Sequence, residues 1–270
     1  MKCFICGCVY KNEGYLRKVF ENIKIIQSLF DETKIIISYD NSGDNSLKEL
    51  CELKKEGFDI DIMINKTHRY LDWIGRCYNI GKARNSIINR IYNIDYDTNS
   101  KDKECNYDFF IMMDMDDVNC VNINIDILKK YLSQNYIDKW DCLSFYNKGY
   151  YDTWALSIDD YQDSSWHQLD NDKKSIDGYK YNKEFLSYFK NKMDNLNGDM
   201  MKIDSAFNGF CIHKIDKFKG IKYKPFTILY DELIIDIEHR GFYKEANKKG
   251  LNVMISKDYL FDKQITEHNI

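Results

Sequence analysis

Residues 109–117 read Phe-Phe-Ile-Met-Met-Asp-Met-Asp-Asp, an apolar run that ends in three carboxylates within four positions. A short apolar run bounded by polar residues is typical of a strand that is covered on both faces. We therefore predict a strand over 107–113 that delivers Asp114, Asp116 and Asp117 into one turn. Carboxylates this close repel one another unless a cation compensates them, which makes the turn a candidate site for Mg²⁺ or Mn²⁺. The alternative is a solvated turn whose acids cap the next helix.

The residues before this turn alternate between strand-like and helix-like patterns. We predict strands over 3–9, 34–39 and 60–64, and helices over 16–30, from 46 onward and over 81–91. This alternation predicts a mainly parallel α/β sheet flanked by helices. A polar turn, 40–45, follows the second strand. Ligands bind beyond the carboxyl ends of parallel strands, so the two turns are candidates for two walls of one site.

The second half is less regular, and we expect surface loops over 94–106 and 157–184. Strand-like pieces fall within 140–156, around residues 150–156. A strand is predicted over 205–212, with Asn208-Gly209 in its middle, followed by a helix over 234–249 and a strand over 253–255. A glycine inside a strand indicates either a bulge or the close approach of another group to the backbone. With no repeat and no linker, a single domain is expected.

Composition excludes several classes of protein. The net charge of −4 lacks the basic excess of a nucleic-acid-binding protein. No apolar run approaches the roughly 20 residues that span a bilayer, and the apolar N-terminus is too short for a signal peptide. A cytoplasmic location is expected, with the nine cysteines reduced and mostly small core residues. Cys3, Cys6 and Cys8 form the only cluster and have no further partners to complete a zinc site.

Several segments carry a resemblance to a known family. An apolar strand followed by Asp-x-Asp resembles the metal and nucleotide-sugar motif of GT-A glycosyltransferases. Five further segments are similar to the family of the cryptococcal α-1,3-mannosyltransferase and its relatives: Asp40–Ser46, Arg76–Asn85, Tyr150–Leu156, Ser205–Gly209 and Glu238-His239. Together with the first strand they cover residues 3 to about 256. Asp116 stands where that mannosyltransferase has Asn, so no donor preference is carried over.

The resemblance implies a GT-A fold, Rossmann-like and mainly parallel, with a smaller mixed sheet in the C-terminal half. It implies one domain, in which 1–120 bind the nucleotide-sugar and 121–270 bind the acceptor. The implied activity is metal-dependent transfer of a sugar from a UDP- or GDP-sugar to a hydroxyl of a glycan, glycoprotein or other acceptor. The scarcity of proline and the abundance of Asn, Ile, Lys and Tyr are typical of an AT-rich genome, such as that of a large DNA virus.

The resemblance also implies a role for each candidate residue. Asp114 and Asp116 would hold Mn²⁺ or Mg²⁺, with Asp117 as a substitute and His239 as a further ligand or diphosphate contact. Glu238 would be the catalytic base, with Asp236 second. The nucleotide contacts would be Asp40, Asn41, Asp44, Arg76, Arg84 and Asp114, and the sugar contacts would be Asp152, Trp154, Asn208 and Gly209.

Three interpretations remain open at this stage. A nucleotidyltransferase also holds Mg²⁺-nucleotide with paired acids, but its first loop is normally rich in glycine and basic residues, unlike Lys11-Asn12-Glu13-Gly14. A non-catalytic sugar-binding relative would not need to retain Asp114, Asp116 and Glu238 together. The glycosyltransferase interpretation is therefore preferred. The four remaining histidines, 68, 167, 213 and 268, show no spacing that pairs them.

Overall fold

The computed structural model describes residues 1–65, 73–93, 106–147, 149–159, 176–229 and 232–261. Within these residues the strands are β1 (Lys2–Val9), β2 (Glu32–Asp40), β3 (Ile60–Asn65), β4 (Phe109–Met113), β5 (Cys142–Phe145), β6 (Met200–Lys202), β7 (Phe210–Lys214), β8 (Phe226–Leu229), β9 (Glu232–Ile235) and β10 (Val253–Ser256). The helices are α1 (Leu16–Gln27), α2 (Ser46–Lys55), α3 (Trp73–Asn93), α4 (Ile125–Leu132), α5 (Ile176–Asp194), α6 (Ile215–Phe218) and α7 (Glu238–Lys248).

Eight of the strands form one sheet, in the order β3-β2-β1-β4-β7-β5-β10-β6. The pairs β3-β2, β2-β1, β1-β4 and β5-β10 are parallel, whereas β7 runs antiparallel to both β4 and β5, and β6 runs antiparallel to β10. The mixed strands of the second half thus join the main sheet. A separate hairpin, β8-β9, completes the strands among the described residues.

Both faces of the sheet are covered by helices. Along β1, Cys3 and Ile5 point into one apolar layer, and Phe4 and Cys6 point into the other, because successive side chains of a strand alternate between faces. The first layer receives side chains from α1, α2 and α4, and the second from α3, α5, α6 and α7. Burial on both faces explains why the central strands β1 and β4 are almost continuously apolar. None of the helices in the described residues is long and apolar enough to cross a membrane.

Two local predictions for the second half were wrong. The strand expected over 205–212 begins only at Phe210, because Asn208 (φ 52°) and Gly209 (φ 78°) take left-handed backbone conformations that lie outside the extended region of a regular strand. The helix expected over 234–249 begins at Glu238, since Glu232–Ile235 pairs with Phe226–Leu229 as a hairpin. Ile234 and Ile235 are β-branched, which suits a strand.

The remaining expectations for this half had mixed outcomes. The segment 150–156 forms turns, and the strand near it is β5. Part of the loop expected over 157–184 is helical, because α5 begins at Ile176. The predicted strand over 253–255 is confirmed as β10. Residues 94–105 and 160–175, where loops were expected, lie outside the described residues, and so do His68, His167 and His268.

The cysteines match the expectation of small core residues. Of the eight described, five are buried and all are free thiols. Burial raises the pKa of the Cys3 and Cys6 thiols well above its ordinary value, because the thiolate would lose its hydration. These two β1 cysteines are therefore packing residues.

Candidate functional site

The two acidic turns lie at the same edge of the sheet. β2 ends at Asp40 and β4 ends just before Asp114, and both strands run parallel to β1, which lies between them. Adjacent strands are about 4.8 Å apart, so the ends of β2 and β4 are separated by roughly 10 Å. That spacing fits one ligand lying across the edge of β1.

Asp114 is hydrogen-bonded to several distant parts of the chain. Its Oδ1 accepts a hydrogen bond from Arg84 Nη2 at 3.1 Å, and its Oδ2 accepts one from Tyr151 Oη at 2.6 Å. Its backbone N–H donates to the Gly209 carbonyl at 2.9 Å. The Asn119 side chain bridges the carbonyls of Asp114 and Gly209, at 2.8 Å each. The carboxylate is thus held by two distant segments of the chain, and the Asp114 backbone is held by Gly209 and Asn119.

Close packing underneath positions the Asp-x-Asp turn. Met115 lies between the two acids, and its side chain packs over Gly7 of β1. A Cβ atom at Gly7 would lie 2.3 Å from Met115 Cε and 2.7 Å from the Met113 carbonyl oxygen. Only glycine leaves room for this contact, so β1 itself sets the height of the turn above the sheet.

Asp116 stands in a strongly acidic environment. Burial, together with the charges of Asp114 and Asp117, raises its pKa to about 8. Its side chain also accepts a hydrogen bond from the Val118 N–H at 3.2 Å, which caps the short 3₁₀ helix Asp117–Asn119. Helix capping, the alternative considered for this turn, therefore occurs. Burial is the largest cause of the raised pKa, and repulsion from Asp114 and Asp117 adds to it, while the charge of Arg76 opposes it.

Arg84 connects the acidic turn to the C-terminal half. Its guanidinium forms ion pairs with Asp114 and with Glu238, a residue 154 positions away. The Arg84 side chain is 8% exposed and that of Glu238 is 5% exposed. The guanidinium carbon also lies 4.8 Å from the ring centre of Phe207 and 5.8 Å from that of Tyr223. Arg84 is thus a buried cation between two acids and two aromatic rings.

A glycine lets helices α3 and α7 approach closely enough for this pair. A Cβ added at Gly81 would lie 3.2 Å from Glu238 Cβ, which is tighter than ordinary contact. Arg84 follows one helical turn later on the same side of α3. Burial raises the pKa of the Glu238 carboxyl, and the positive charge of Arg84 opposes that rise.

His239 and Asp236 lie deeper in the protein. The His239 ring is 2% exposed and stacks on Phe207 with centroids 3.8 Å apart. Burial, with the nearby positive charge of Arg84, lowers its pKa well below the usual value, so the ring is neutral. Neither ring nitrogen has a hydrogen-bond partner among the described residues. Asp236 has no exposed surface and lies 3.1 Å from Arg240 Nε.

The predicted sugar contacts occupy one side of the cluster. Burial, and then the charges of Asp114 and Glu238, raise the pKa of Asp152 to about 7. Trp154 is partly buried against the core. Asn208 is buried, accepts a hydrogen bond from the Tyr151 N–H at 3.3 Å and donates to the Phe145 carbonyl at 3.1 Å. Asn208 and Gly209 thus stabilise the turns that carry Tyr151 and Asp114.

The predicted nucleotide contacts are more dispersed. Asp40 accepts a hydrogen bond from Asn65 Nδ2 at 2.8 Å, and Asn41 is exposed. Asp44 accepts hydrogen bonds from the hydroxyls of Ser42 and Ser46, which places it in the turn leading into α2. Arg76 is exposed on α3, eight residues before Arg84, and its charge acts on Asp116 and Glu238.

Sequence reasoning missed two residues of this cluster, Tyr151 and Tyr223. Tyr151 lies in the segment 150–156, which the sequence analysis identified, and its hydroxyl next to Asp152 could have marked it as a site residue. Tyr223 lies between α6 and β8, where its backbone exchanges two hydrogen bonds with the Asn85 side chain, each 2.8 Å long. Nothing in the sequence around Tyr223 indicated this contact.

Comparison with known proteins identifies the fold. No family model matches the sequence, and no match is found among curated proteins. Among solved structures, S. aureus TarS 1-349 in complex with UDP aligns with a TM-score of 0.51 and 14% identity over 97% of this chain and 59% of that one. The mannosyltransferase PcManGT from Pyrobaculum calidifontis, in complex with GDP-Man and Mn²⁺, aligns with a TM-score of 0.54 and 6% identity over 98% of this chain and 57% of that one.

At these identities the similarity establishes the fold alone. The predicted fold class is confirmed: an α/β structure of GT-A type with a mostly parallel sheet flanked by helices. The chain spans less than three fifths of the length of these two neighbours. The closer resemblance to the cryptococcal mannosyltransferase family, the viral source, the cytoplasmic location and the division of the domain at residue 120 stay predictions.

Proposed function

We propose that this protein is a metal-dependent glycosyltransferase that transfers a sugar from a UDP- or GDP-sugar to a hydroxyl of a glycan or another acceptor. One observation carries the proposal. Arg84, the pair Asp114 and Asp116, and Glu238 come from three distant parts of the sequence and meet at the carboxyl-terminal edge of a GT-A-type sheet. The ligands of the two neighbours, UDP in one and GDP-Man with Mn²⁺ in the other, support this substrate class.

The acidic turn fits a divalent cation. Asp114 and Asp116 offer the oxygen ligands that Mg²⁺ and Mn²⁺ prefer, with Asp117 beside them. Burial, and then the charges of Asp114 and Asp117, raise the pKa of Asp116, and a bound cation would offset both effects. His239, neutral and without a hydrogen-bond partner among the described residues, has the free nitrogens of a further ligand. When bound, the metal would stabilise the charge that develops on the leaving diphosphate.

Glu238 is the preferred general base. A base must be ionised to accept the proton of the acceptor hydroxyl. Burial raises the pKa of Glu238 and so disfavours its ionised form, and the paired guanidinium of Arg84 opposes that rise. Asp236, the second candidate, has no exposed surface and lies beside Arg240. It is therefore farther from any acceptor that approaches from solvent.

The two arginines are suited to different tasks. Arg76 is exposed and its charge acts on the acidic turn, so it is the stronger candidate for the diphosphate. Arg84 was also expected to contact the diphosphate, yet Asp114 and Glu238 already occupy its guanidinium. We assign it chiefly to holding these acids. Asp40, Asn41 and Asp44 would contact the base or ribose, and Asp152, Trp154, Asn208 and Gly209 would shape the sugar pocket.

The decisive experiment is donor hydrolysis. The protein is incubated with a panel of UDP- and GDP-sugars and Mn²⁺, and the released nucleoside diphosphate is measured. We expect turnover with at least one donor, and its loss on adding EDTA. Absence of both turnover and metal-dependent donor binding across the panel would refute the proposal. Release of pyrophosphate from a nucleoside triphosphate and a sugar 1-phosphate would favour the nucleotidyltransferase alternative.

Three variants assign the roles. Asp116→Ala is expected to abolish Mn²⁺-dependent nucleotide binding, whereas Asp126→Ala, an exposed acid on α4, serves as the matched control and retains it. Glu238→Gln is expected to retain donor binding and lose sugar transfer. Unchanged nucleotide binding in Asp116→Ala would remove the metal assignment, and unchanged transfer in Glu238→Gln would remove the base.

A further inference from the structure

A second group of metal-ligating side chains lies in the core of the sheet, below the acidic turn, with Cys211 opposite Met112 of β4. Cys142 on β5 and Cys211 and His213 on β7 each offer one ligand atom, and these three atoms lie within 4.8 Å of one another. All three side chains have at most 1% exposure. None of the three was singled out by the sequence, because their ligand spacing exists only across two strands.

The strand register explains why the three meet. β5 and β7 are antiparallel, with Cys142 directly opposite His213. Cys211 precedes His213 by two positions, so their side chains leave the same face of β7. Residues that lie directly opposite on neighbouring strands also share a face. The backbone therefore aims two sulfurs and one imidazole into the same layer of the core.

Helix α7 supplies a fourth polar atom over this group. Tyr243 Oη lies 3.2 Å from His213 Nε2, and Tyr243 has no exposed surface. The His213 Nδ1 atom has no hydrogen-bond partner among the described residues. The ring is otherwise enclosed by aromatic side chains and stacks on Phe110 with centroids 4.3 Å apart. A buried ring nitrogen with neither a hydrogen-bond partner nor a bound ligand lowers the stability of the folded protein.

We propose that Cys142, Cys211 and His213 form a structural zinc site, with Tyr243 as the fourth ligand or as the hydrogen-bond partner of the histidine. Thiolates and imidazoles are the usual ligands of structural zinc, which takes four ligands, so the Tyr243 hydroxyl or a water molecule would complete the set. Two thiolates would neutralise Zn²⁺, so the occupied site would carry no net charge into the apolar core. A ligating histidine usually has its second nitrogen hydrogen-bonded, and the Tyr243 hydroxyl offers such a partner.

The site would stabilise the scaffold rather than react with substrate. It would tie β5 to β7, and β7 pairs directly with β4, the strand that ends at Asp114. Because the ligands are fully buried, zinc would enter during folding. This inference does not depend on the proposed glycosyltransferase activity.

Metal content tests the proposal directly. The intact protein, purified without chelators, is denatured and its zinc is measured by mass spectrometry. We expect one zinc ion per chain. Refolding with Co²⁺ in place of zinc is expected to produce the near-ultraviolet charge-transfer band of thiolate-bound cobalt, which an all-oxygen site such as the acidic turn does not give. Refolding in the presence of EDTA is expected to lower the melting temperature by roughly 5 °C or more.

Variants separate this site from other cysteines. Cys142→Ala is expected to lose the zinc, the cobalt band and the sensitivity to EDTA. Cys3→Ala removes an equally buried free cysteine from β1 and is expected to retain all three. If Cys142→Ala does not fold, the measurements on the unaltered chain still decide the question. The proposal is overturned if the unaltered chain lacks zinc and gives no cobalt band, or if its mass shows a disulfide between Cys142 and Cys211.

Discussion

Replacing Arg84 by methionine should destabilise the fold severely. Methionine keeps much of the side-chain volume but removes the cation, which leaves the carboxylates of Asp114 and Glu238 without their shared partner. Removing one member of a buried ion pair costs about 3–5 kcal/mol, since the remaining charge stays buried and uncompensated. The Arg84 and Glu238 side chains are 8% and 5% exposed, so this range applies. A change of that size lowers the melting temperature by roughly 6–20 °C.

Arg90 provides the matched control on the same helix. Its Nε lies 2.6 Å from Asp61 Oδ2, but its side chain is 40% exposed. An ion pair in contact with solvent contributes about 0–1 kcal/mol, so Arg90→Met should lower stability only slightly. Urea denaturation of both variants at pH 7, without metal or nucleotide, gives the two free energies of unfolding for comparison.

A double variant isolates the pair itself. Glu238→Gln removes one negative charge, so adding it to Arg84→Met should recover part of the lost stability. We expect a coupling free energy of about 1–3 kcal/mol between the two substitutions. The reasoning is refuted if Arg84→Met costs no more than Arg90→Met, or if the effects of the two site substitutions are simply additive.

Three further predictions concern the acidic turn. Gly7→Ala should cost about 1–3 kcal/mol in urea denaturation, because the new Cβ would collide with Met115, and a null effect would show that the turn adjusts freely. Tyr151→Phe should cost about 1.5–3 kcal/mol in the same assay, since it removes the hydrogen bond to the Asp114 carboxylate, and full stability would contradict that contact. In EDTA, the contribution of Asp116 to the free energy of unfolding should fall as the pH rises from about 4 to 8. In that range the folded protein, in which Asp116 has a pKa of about 8, holds a proton that the unfolded carboxyl, with a pKa of about 3.9, has already released. Asp116→Asn should remove that component, and an unchanged pH profile would contradict the raised pKa.

The regular part of the fold could be predicted because its signals are local. β1, β2 and β4 are apolar stretches that are buried on both faces of the sheet, the edge strand β3 is partly buried, and α1 shows helical spacing from Leu16 onward. The second half was harder, because its conformations depend on individual backbone angles and pairings. The positive φ angles at Asn208 and Gly209 are one example, and the β8-β9 hairpin is another. Neither feature changes the spacing of apolar residues, so the sequence around 208–209 still looked like a strand and that from 234 onward like a helix.

The sequence by itself determined the order of strands and helices through α3 and β4, and the delivery of Asp114 and Asp116 to a strand end. Apolar periodicity and the run of carboxylates suffice for that, since both act between near neighbours in the chain. Only the tertiary structure decided the contact between Arg84 and Glu238, 154 positions apart, and the meeting of Cys142 with His213 across two strands. The first contact depends on how closely α3 and α7 pack at Gly81, and the second on the register between β5 and β7, both of which form only in three dimensions.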